Sequence, residues 1–286
     1  MAGSGEVHER RGQPRVGGSP AGRRAGPQLR VLFLADVFGP AGRRAIEQHL
    51  PKLREELDID ACIVNGENIA DGAGITPKLA EKLLASGADV VTLGNHTYRR
   101  DGIGGYLASS ERVIRPANQG ALTPGRGLTS FEARNGVAVA VLSLLGSIGL
   151  DTPVSPWEVV DGLVDEARAL APVVIVDFHA EATSEKVALS RWLDGRVTAV
   201  IGTHTHVQTN DARIQPGGTA AITDAGMTGP HDSVIGVEAE LAIRRMRTRL
   251  PVRFQPAEGD VRLEGVVIDC SDDGRAHGIE LVRVPA

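Results

Sequence analysis

Asp60-Ala61-Cys62-Ile63-Val64-Asn65-Gly66-Glu67-Asn68 is a short apolar run that ends in a cluster of polar groups. An uninterrupted apolar run bounded by turn-forming residues reads as a strand buried on both faces, the kind found in parallel sheets. Upstream, Ile46, Leu50, Leu53 and Leu57 recur at helical spacing within Gly42 to Leu57, which predicts a helix. Before that helix, Arg30-Val-Leu-Phe-Leu-Ala35 is a second buried strand, ending at Asp36-Val37-Phe38-Gly39. Downstream, Thr76-Pro77 opens a helix as cap and first-turn proline, and Gly87 closes it. Asp89-Val-Val-Thr-Leu93 is the next strand, ending at Gly94-Asn95-His96-Thr97. Strands that alternate with helices make a parallel sheet, and sites in such sheets form outside the carboxyl ends of the strands. Asp36, Glu67, Asn68, Asn95 and His96 are therefore expected near one another.

The pattern continues after a less regular middle. Gly127 to Glu132 and Val137 to Ser143 form a predicted hairpin turning at Asn135-Gly136. Trp157 to Leu170 is a helix, and Pro172 to Asp177 is a buried strand followed by Phe178-His179-Ala180-Glu181. Thr183 to Leu193 is a helix, with Thr183 as its cap and Lys186 expected to be exposed. Thr198 to Ile201 then runs into Gly202-Thr203-His204-Thr205-His206. In an extended chain, positions i and i+2 face the same side, so His204 and His206 are expected to share a face with Thr205 turned away. A His-x-His pair alone is as readily two half-buried strand-edge residues as a ligand pair. Beyond it, Val237 to Arg247 is a helix, and Val252 to Pro256, Val261 to Ile268 and Gly278 to Val284 are expected strands.

Composition sets the bounds. The 286 residues are 42% hydrophobic but only 3% aromatic, so the core is built from aliphatic side chains. The net charge of −5 gives no general attraction for nucleic acid or anionic membrane. No run of about 18 apolar residues exists, the N-terminus has no apolar signal core, and two distant cysteines, Cys62 and Cys270, make no disulfide framework. A reducing cytoplasm is the simplest setting. Residues 1–28 are rich in Gly, Arg, Pro and Ser without periodicity and read as a disordered basic extension, leaving 29–286 as one domain.

Carboxylate, amide and imidazole groups at Asp36, Glu67, Asn68, Asn95, His96, His179, His204 and His206 together suit two borderline divalent ions such as Fe, Mn or Zn. The strand-end Asp, Gly-Asn-His and Gly-x-His-x-His, in this order, resemble the calcineurin-like metallophosphoesterases. Phe38 stands where that superfamily has the histidine of Asp-x-His, and Asn65-Gly66-Glu67-Asn68 replaces Gly-Asp-x-x-Asp. Those departures, with Asp177 to Glu185, Gly202 to Thr209 and Gly226-Met-Thr-Gly-Pro230, resemble the bacterial 2′,3′-cyclic-nucleotide phosphodiesterases. Within that branch Ala35, Tyr98-Arg99 and Leu145-Gly146-Ser147 stand where Gly, Trp-Asp and Gln-Gly-Arg are expected.

The resemblance implies an α/β fold, a β-sandwich of two mixed sheets flanked by helices in four α/β/β/α layers, and a homo-oligomer. It implies one metal on Asp36, Glu67, Asn68 and His206, and another on Glu67, Asn95, His179 and His204. A hydroxide bridging the metals would attack the phosphorus of a cyclic nucleotide or small phosphodiester, with His96 as general acid. The alternatives are a phosphomonoesterase or 5′-nucleotidase on the same centre, or a metal-containing scaffold that binds RNA or protein, for which the basic N-terminal segment is the only support.

Overall fold

The first third alternates as its periodicity requires: β1 (Gln28–Leu34), α1 (Gly39–Glu56), β2 (Ala61–Asn65), α2 (Pro77–Ala85) and β3 (Val90–Thr92). Next come α3 (Ile103–Ser109), β4 (Val113–Ile114), β5 (Leu128–Glu132), β6 (Ala138–Leu145) and α4 (Pro156–Leu170). The chain continues through β7 (Val173–His179), α5 (Thr183–Trp192), β8 (Ala199–Thr203), β9 (Arg213–Ile214), β10 (Ala220–Ile222) and β11 (Gly229–Asp232). It ends with α6 (Ala239–Thr248), β12 (Gly259–Ser271) and β13 (Ala276–Pro285). This computed structural model describes residues 28–286. Gln28 is already paired in β1; the rest of the expected extension, 1–27, lies outside the described residues.

Two mixed sheets result. The first runs β11-β12-β1-β2-β3-β4, with β13 also paired to β12. Its β1 to β4 are parallel and β12 is antiparallel to β1. The second runs β5-β6-β7-β8-β10-β9, with β6, β7, β8 and β10 parallel. Three apolar layers hold the four structural layers together. Phe33, Ile63, Val141 and Ile175 meet between the sheets. Ile46, Leu50 and Leu83 of α1 and α2 pack on the first sheet. Val160, Val164 and Leu189 of α4 and α5 cover the second. The expected four-layer α/β/β/α sandwich is what the chain adopts.

Local differences have local causes. The α2 cap is as expected: the Thr76 hydroxyl accepts from Leu79 N at 3.3 Å. Thr183 is the first helical residue of α5 rather than its cap, and Ala182 occupies the cap position without a side-chain bond. Val252 to Pro256 is not a strand; Pro256 makes one isolated bridge to Val237. No helix among the described residues is long and apolar enough to cross a membrane.

Candidate metal centre

The carboxyl ends of β1, β2, β3, β7 and β8 converge, and all eight residues singled out from the sequence lie there. Glu67 is the middle of the group. Its Oε1 is 3.0 Å from His179 Nε2 and 3.2 Å from His96 Nδ1, yet it accepts no aligned hydrogen bond. Its Oε2 accepts from His96 N at 3.0 Å. His179 Nε2 is also 3.1 Å from Asn95 Oδ1 and 3.1 Å from His204 Nδ1. On the other side, Asn68 Nδ2 is 3.0 Å from His206 Nε2 and 3.5 Å from Asp36 Oδ1. His206 Nε2 and Asp36 Oδ1 are 3.8 Å apart. The two sides meet through Glu67 and Asp36, both fully buried.

His204 and His206 reach the centre by a different route from the expected one. β8 ends at Thr203. Both histidines lie in left-handed backbone, with φ of 101° and 62°, a conformation that costs on the order of 1–3 kcal/mol for a non-glycine residue. They do not share a strand face. The turn divides them, sending His204 to the Glu67–His179 side and His206 to the Asp36–Asn68 side. Asp36, with φ 24°, fixes this turn by accepting from His204 N at 3.0 Å.

Hydrogen bonds on the outer side of each ring decide which nitrogen faces inward as a lone pair. Thr203 Oγ1 donates its one proton to Asp177 Oδ1 at 2.7 Å. It therefore accepts from His179 Nδ1 at 2.9 Å, which leaves Nε2 of the neutral ring unprotonated. Ile235 O accepts only, so His206 Nδ1, 2.9 Å away, carries its proton and Nε2 does not. His204 Nε2 is 3.0 Å from Glu181 Oε2, which leaves Nδ1 as the inward lone pair. With the His179 ring neutral, Glu67 Oε1, Asn95 Oδ1, His179 Nε2 and His204 Nδ1 are four acceptors facing one another with no donor among them. A cation resolves that arrangement. Ligand atoms of Glu67, His179 and His204 all fall within 4.8 Å of one another, which a single ion can span. The residues present fit a metal.

Without a cation the charges compensate one another. Burial opposes a proton on His179, but Glu67 above all, with Asp36 and Asp177, pushes its pKa up to about 9. Burial would raise Glu67; His179 and His96 outweigh it and hold the carboxyl well below its ordinary value. Burial pushes Asp36 up to about 6 against the pull of His206 and His179. Burial, then His179, lowers His204 to about 3, so that ring stays neutral, the form that binds metal.

His96 stands apart from the other imidazoles. Its Nδ1 has two acceptors, Asn68 Oδ1 at 2.9 Å and Glu67 Oε1 at 3.2 Å, so Nδ1 holds a proton and Nε2 is the free nitrogen. Phe38, in place of the superfamily's histidine, sets its ring edge-on to His206 with centroids 5.5 Å apart. Gly94 is required by contact: a Cβ there would lie 2.3 Å from Glu67 Oε2 and 2.4 Å from His179 Nε2.

Sequence reasoning missed three contributors. The Thr203 hydroxyl and the Ile235 carbonyl orient rings, and neither residue type signals such a role. Lys186, expected to be exposed, is 3% exposed and ion-paired with Asp224 at 2.9 Å. Its signal was the buried face of α5 meeting a carboxylate beyond β10. His231 donates Nδ1 to Gly229 O at 3.0 Å.

A family model described as YmdB-like protein matches residues 32–282. A 2′,3′-cyclic-nucleotide 2′-phosphodiesterase of Bacillus subtilis (strain 168) is 46% identical over 256 residues, 90% of this chain and 96% of that protein. The crystal structure of a hypothetical protein from Thermus thermophilus superposes with a TM-score of 0.83 at 40% identity, over 90% of this chain and 99% of that one. A structure described as a novel phosphatase from Mycoplasma pneumoniae gives 0.84 at 34% identity, over 91% and 95%.

Proposed function

The chain belongs to the YmdB-like family, and on that premise we propose that it hydrolyses 2′,3′-cyclic nucleotides at a centre of two divalent cations. The observation that carries the reading is the convergence of Glu67 Oε1, Asn95 Oδ1, His179 Nε2 and His204 Nδ1, ligand-type atoms with no donor between them once His179 is neutral. Asp36, Asn68 and His206 form the adjoining group. One cation is assigned to Asp36, Glu67, Asn68 and His206, the other to Glu67, Asn95, His179 and His204, so that Glu67 serves both. Asn68 turns its amide nitrogen toward His206 and its oxygen toward His96; as a ligand it would present its oxygen after a half-turn of the amide, which leaves Glu67 Oε1 as the acceptor facing His96 Nδ1. The mixed donor set suits Mn or Fe, and also Zn. When bound, the ions supply positive charge against the phosphate and lower the pKa of water to near neutrality.

The remaining work falls to the chain's own groups. Thr203, Ile235 and Glu181 hold the three rings in the tautomers that leave inward lone pairs. His96 Nδ1–H is held by Glu67, and as an imidazolium the ring carries a second proton on Nε2, the atom that would give it to the leaving ribose oxygen and be left as the neutral ring. The name of the Bacillus relative puts the broken bond at the 2′ oxygen; carried over to this chain, the product is a nucleoside 3′-phosphate.

The test is hydrolysis of 2′,3′-cyclic AMP by the full chain with Mn, with EDTA, and with Glu67→Ala. Bis-p-nitrophenyl phosphate and 5′-AMP run beside it. Turnover of the cyclic nucleotide that EDTA and Glu67→Ala both abolish is the expected result. Turnover of 5′-AMP alone would keep the metal centre and sink the diesterase.

A further inference from the structure

The turn that divides His204 from His206 is strained at two successive ligands, so something outside the centre must hold it. Thr205, between them, is bound twice by one carboxylate oxygen. Asp224 Oδ2 accepts from Thr205 N at 3.0 Å and from Thr205 Oγ1 at 2.6 Å. The same oxygen accepts from Lys186 Nζ at 2.9 Å, and Oδ1 accepts from Gly226 N at 2.9 Å. Asp224 is thus saturated, with 1% exposure, and Lys186 with 3%. A buried carboxylate with so many donors and one cation is rigid, and a buried ion pair is retained at a desolvation cost.

Sheet register delivers Asp224 to this place. β10 runs parallel to β8, with Ile222 opposite Ile201, so the residues just past β10 flank the residues just past β8. Ala225 N donates to Gly202 O at 2.9 Å. Gly202 makes room for both partners: a Cβ there would lie 1.9 Å from Thr223 O and 3.0 Å from Lys186 Cδ. Lys186 on α5 therefore reaches across the glycine to Asp224, and Asp224 grips Thr205.

We propose that Lys186 and Asp224 are positioning residues that clamp Thr205 and thereby set the separation of His204 and His206, so that one turn serves two cation positions. The inference rests on the two-cation reading above. Neither residue touches the centre; both act through Thr205. Loss of the clamp frees the turn to relax from its left-handed backbone and spreads the two imidazoles.

The experiment is Mn binding, by metal analysis after equilibrium dialysis and by the spin-coupled electron paramagnetic resonance signal of a Mn pair. The proteins are the wild type, Asp224→Asn, Lys186→Met, Thr205→Val and Thr205→Ser. We expect two Mn in the wild type and the coupled signal in wild type and Thr205→Ser. In Asp224→Asn and Lys186→Met, affinity for the second Mn should fall about 10–100-fold, the usual effect of losing a group that orients ligands. The coupled signal should fade, and excess Mn should restore kcat. Thr205→Val replaces the hydroxyl with a methyl and keeps the backbone bond to Asp224, so a loss of second-Mn affinity there, spared in Thr205→Ser, decides the matter if the charge variants fail to fold. Variants that fold and bind two Mn with wild-type affinity and signal overturn the clamp while leaving the proposed reaction standing. A wild type that binds a single ion overturns the clamp together with the two-cation reading.

Discussion

His96 is the residue where position and role separate most cleanly. It follows Asn95 directly and lies 3.2 Å from Glu67, yet its proton-bearing nitrogen faces acceptors on both sides. A ligand needs a lone pair on the inward nitrogen, and His96 presents N–H there. If His96 is the general acid proposed above, the expected outcome for His96→Ala is a protein that keeps the Mn content of the wild type while kcat falls about 10²–10⁴-fold. Metal analysis beside steady-state kinetics decides it, and an alanine variant that purifies without metal would make His96 a ligand after all. That the singled-out residues converge was legible in the sequence because each stands at or just past the end of an apolar run that reads as a buried strand. Their geometry was not. Left-handed backbone at His204 and His206 has no signature when the residue is not glycine. The Thr203 hydroxyl is one of many in the chain until Asp177 and His179 are known to flank it.

At the scale of elements, legibility tracked how local the determinants are. β1, β2, β3, β7 and β8 are continuous apolar runs, and α1 and α2 carry an apolar stripe, so neighbours in sequence define them. Helix α3 contains Gly104 and Gly105, poor helix formers, and forms because Ile103 and Leu107 are buried. β12 is longer than its apolar run, 13 residues, because β1, β11 and β13 all pair with it. Pairing of that kind is non-local. β12 also carries a charge into the interior. Glu264 is 2% exposed, takes Arg283 Nε at 2.7 Å, and has His231 Nε2 3.2 Å away without hydrogen-bond alignment. Burial raises its pKa, but His231, then Arg283 and Met227 N, outweigh burial and hold it below the ordinary value. The folded pKa is depressed, so the stabilisation is complete above the unfolded value of about 4.3 and is lost as pH falls through the folded value. Glu264→Gln should therefore be less stable near neutrality and show a flatter acid limb below about pH 4.3. Urea melts from pH 3 to 7 measure this, and parallel curves for variant and wild type would refute it.

At the scale of the whole molecule, the centre sits where the two sheets come together at one end. Asp36, Glu67, Asn68 and Asn95 follow strands of the first sheet, and His179, His204 and His206 belong to the second. Between the sheets lies an aliphatic layer, which is non-directional and sets their spacing without fixing their register at the open end. In the proposed centre, cations held from both sides would tie one sheet to the other. Ligation would also neutralise the buried Glu67 and Asp36 carboxylates. A ligand that binds only the folded chain at a hundred times its Kd stabilises it by about 2.7 kcal/mol. For a domain of this size that corresponds to a rise in Tm of about 5–10 °C. Mn-loaded protein should thus melt about 5–10 °C above EDTA-treated protein, and Glu67→Ala should melt at one temperature under both conditions because it lacks the group shared by both positions. Differential scanning calorimetry at fixed pH tests this without any substrate. Equal melting temperatures for the loaded and stripped wild type would mean that the ions do not bridge the sheets. Glu67, His179 and His204 would then hold them, if at all, no more tightly in the folded chain than in the unfolded one.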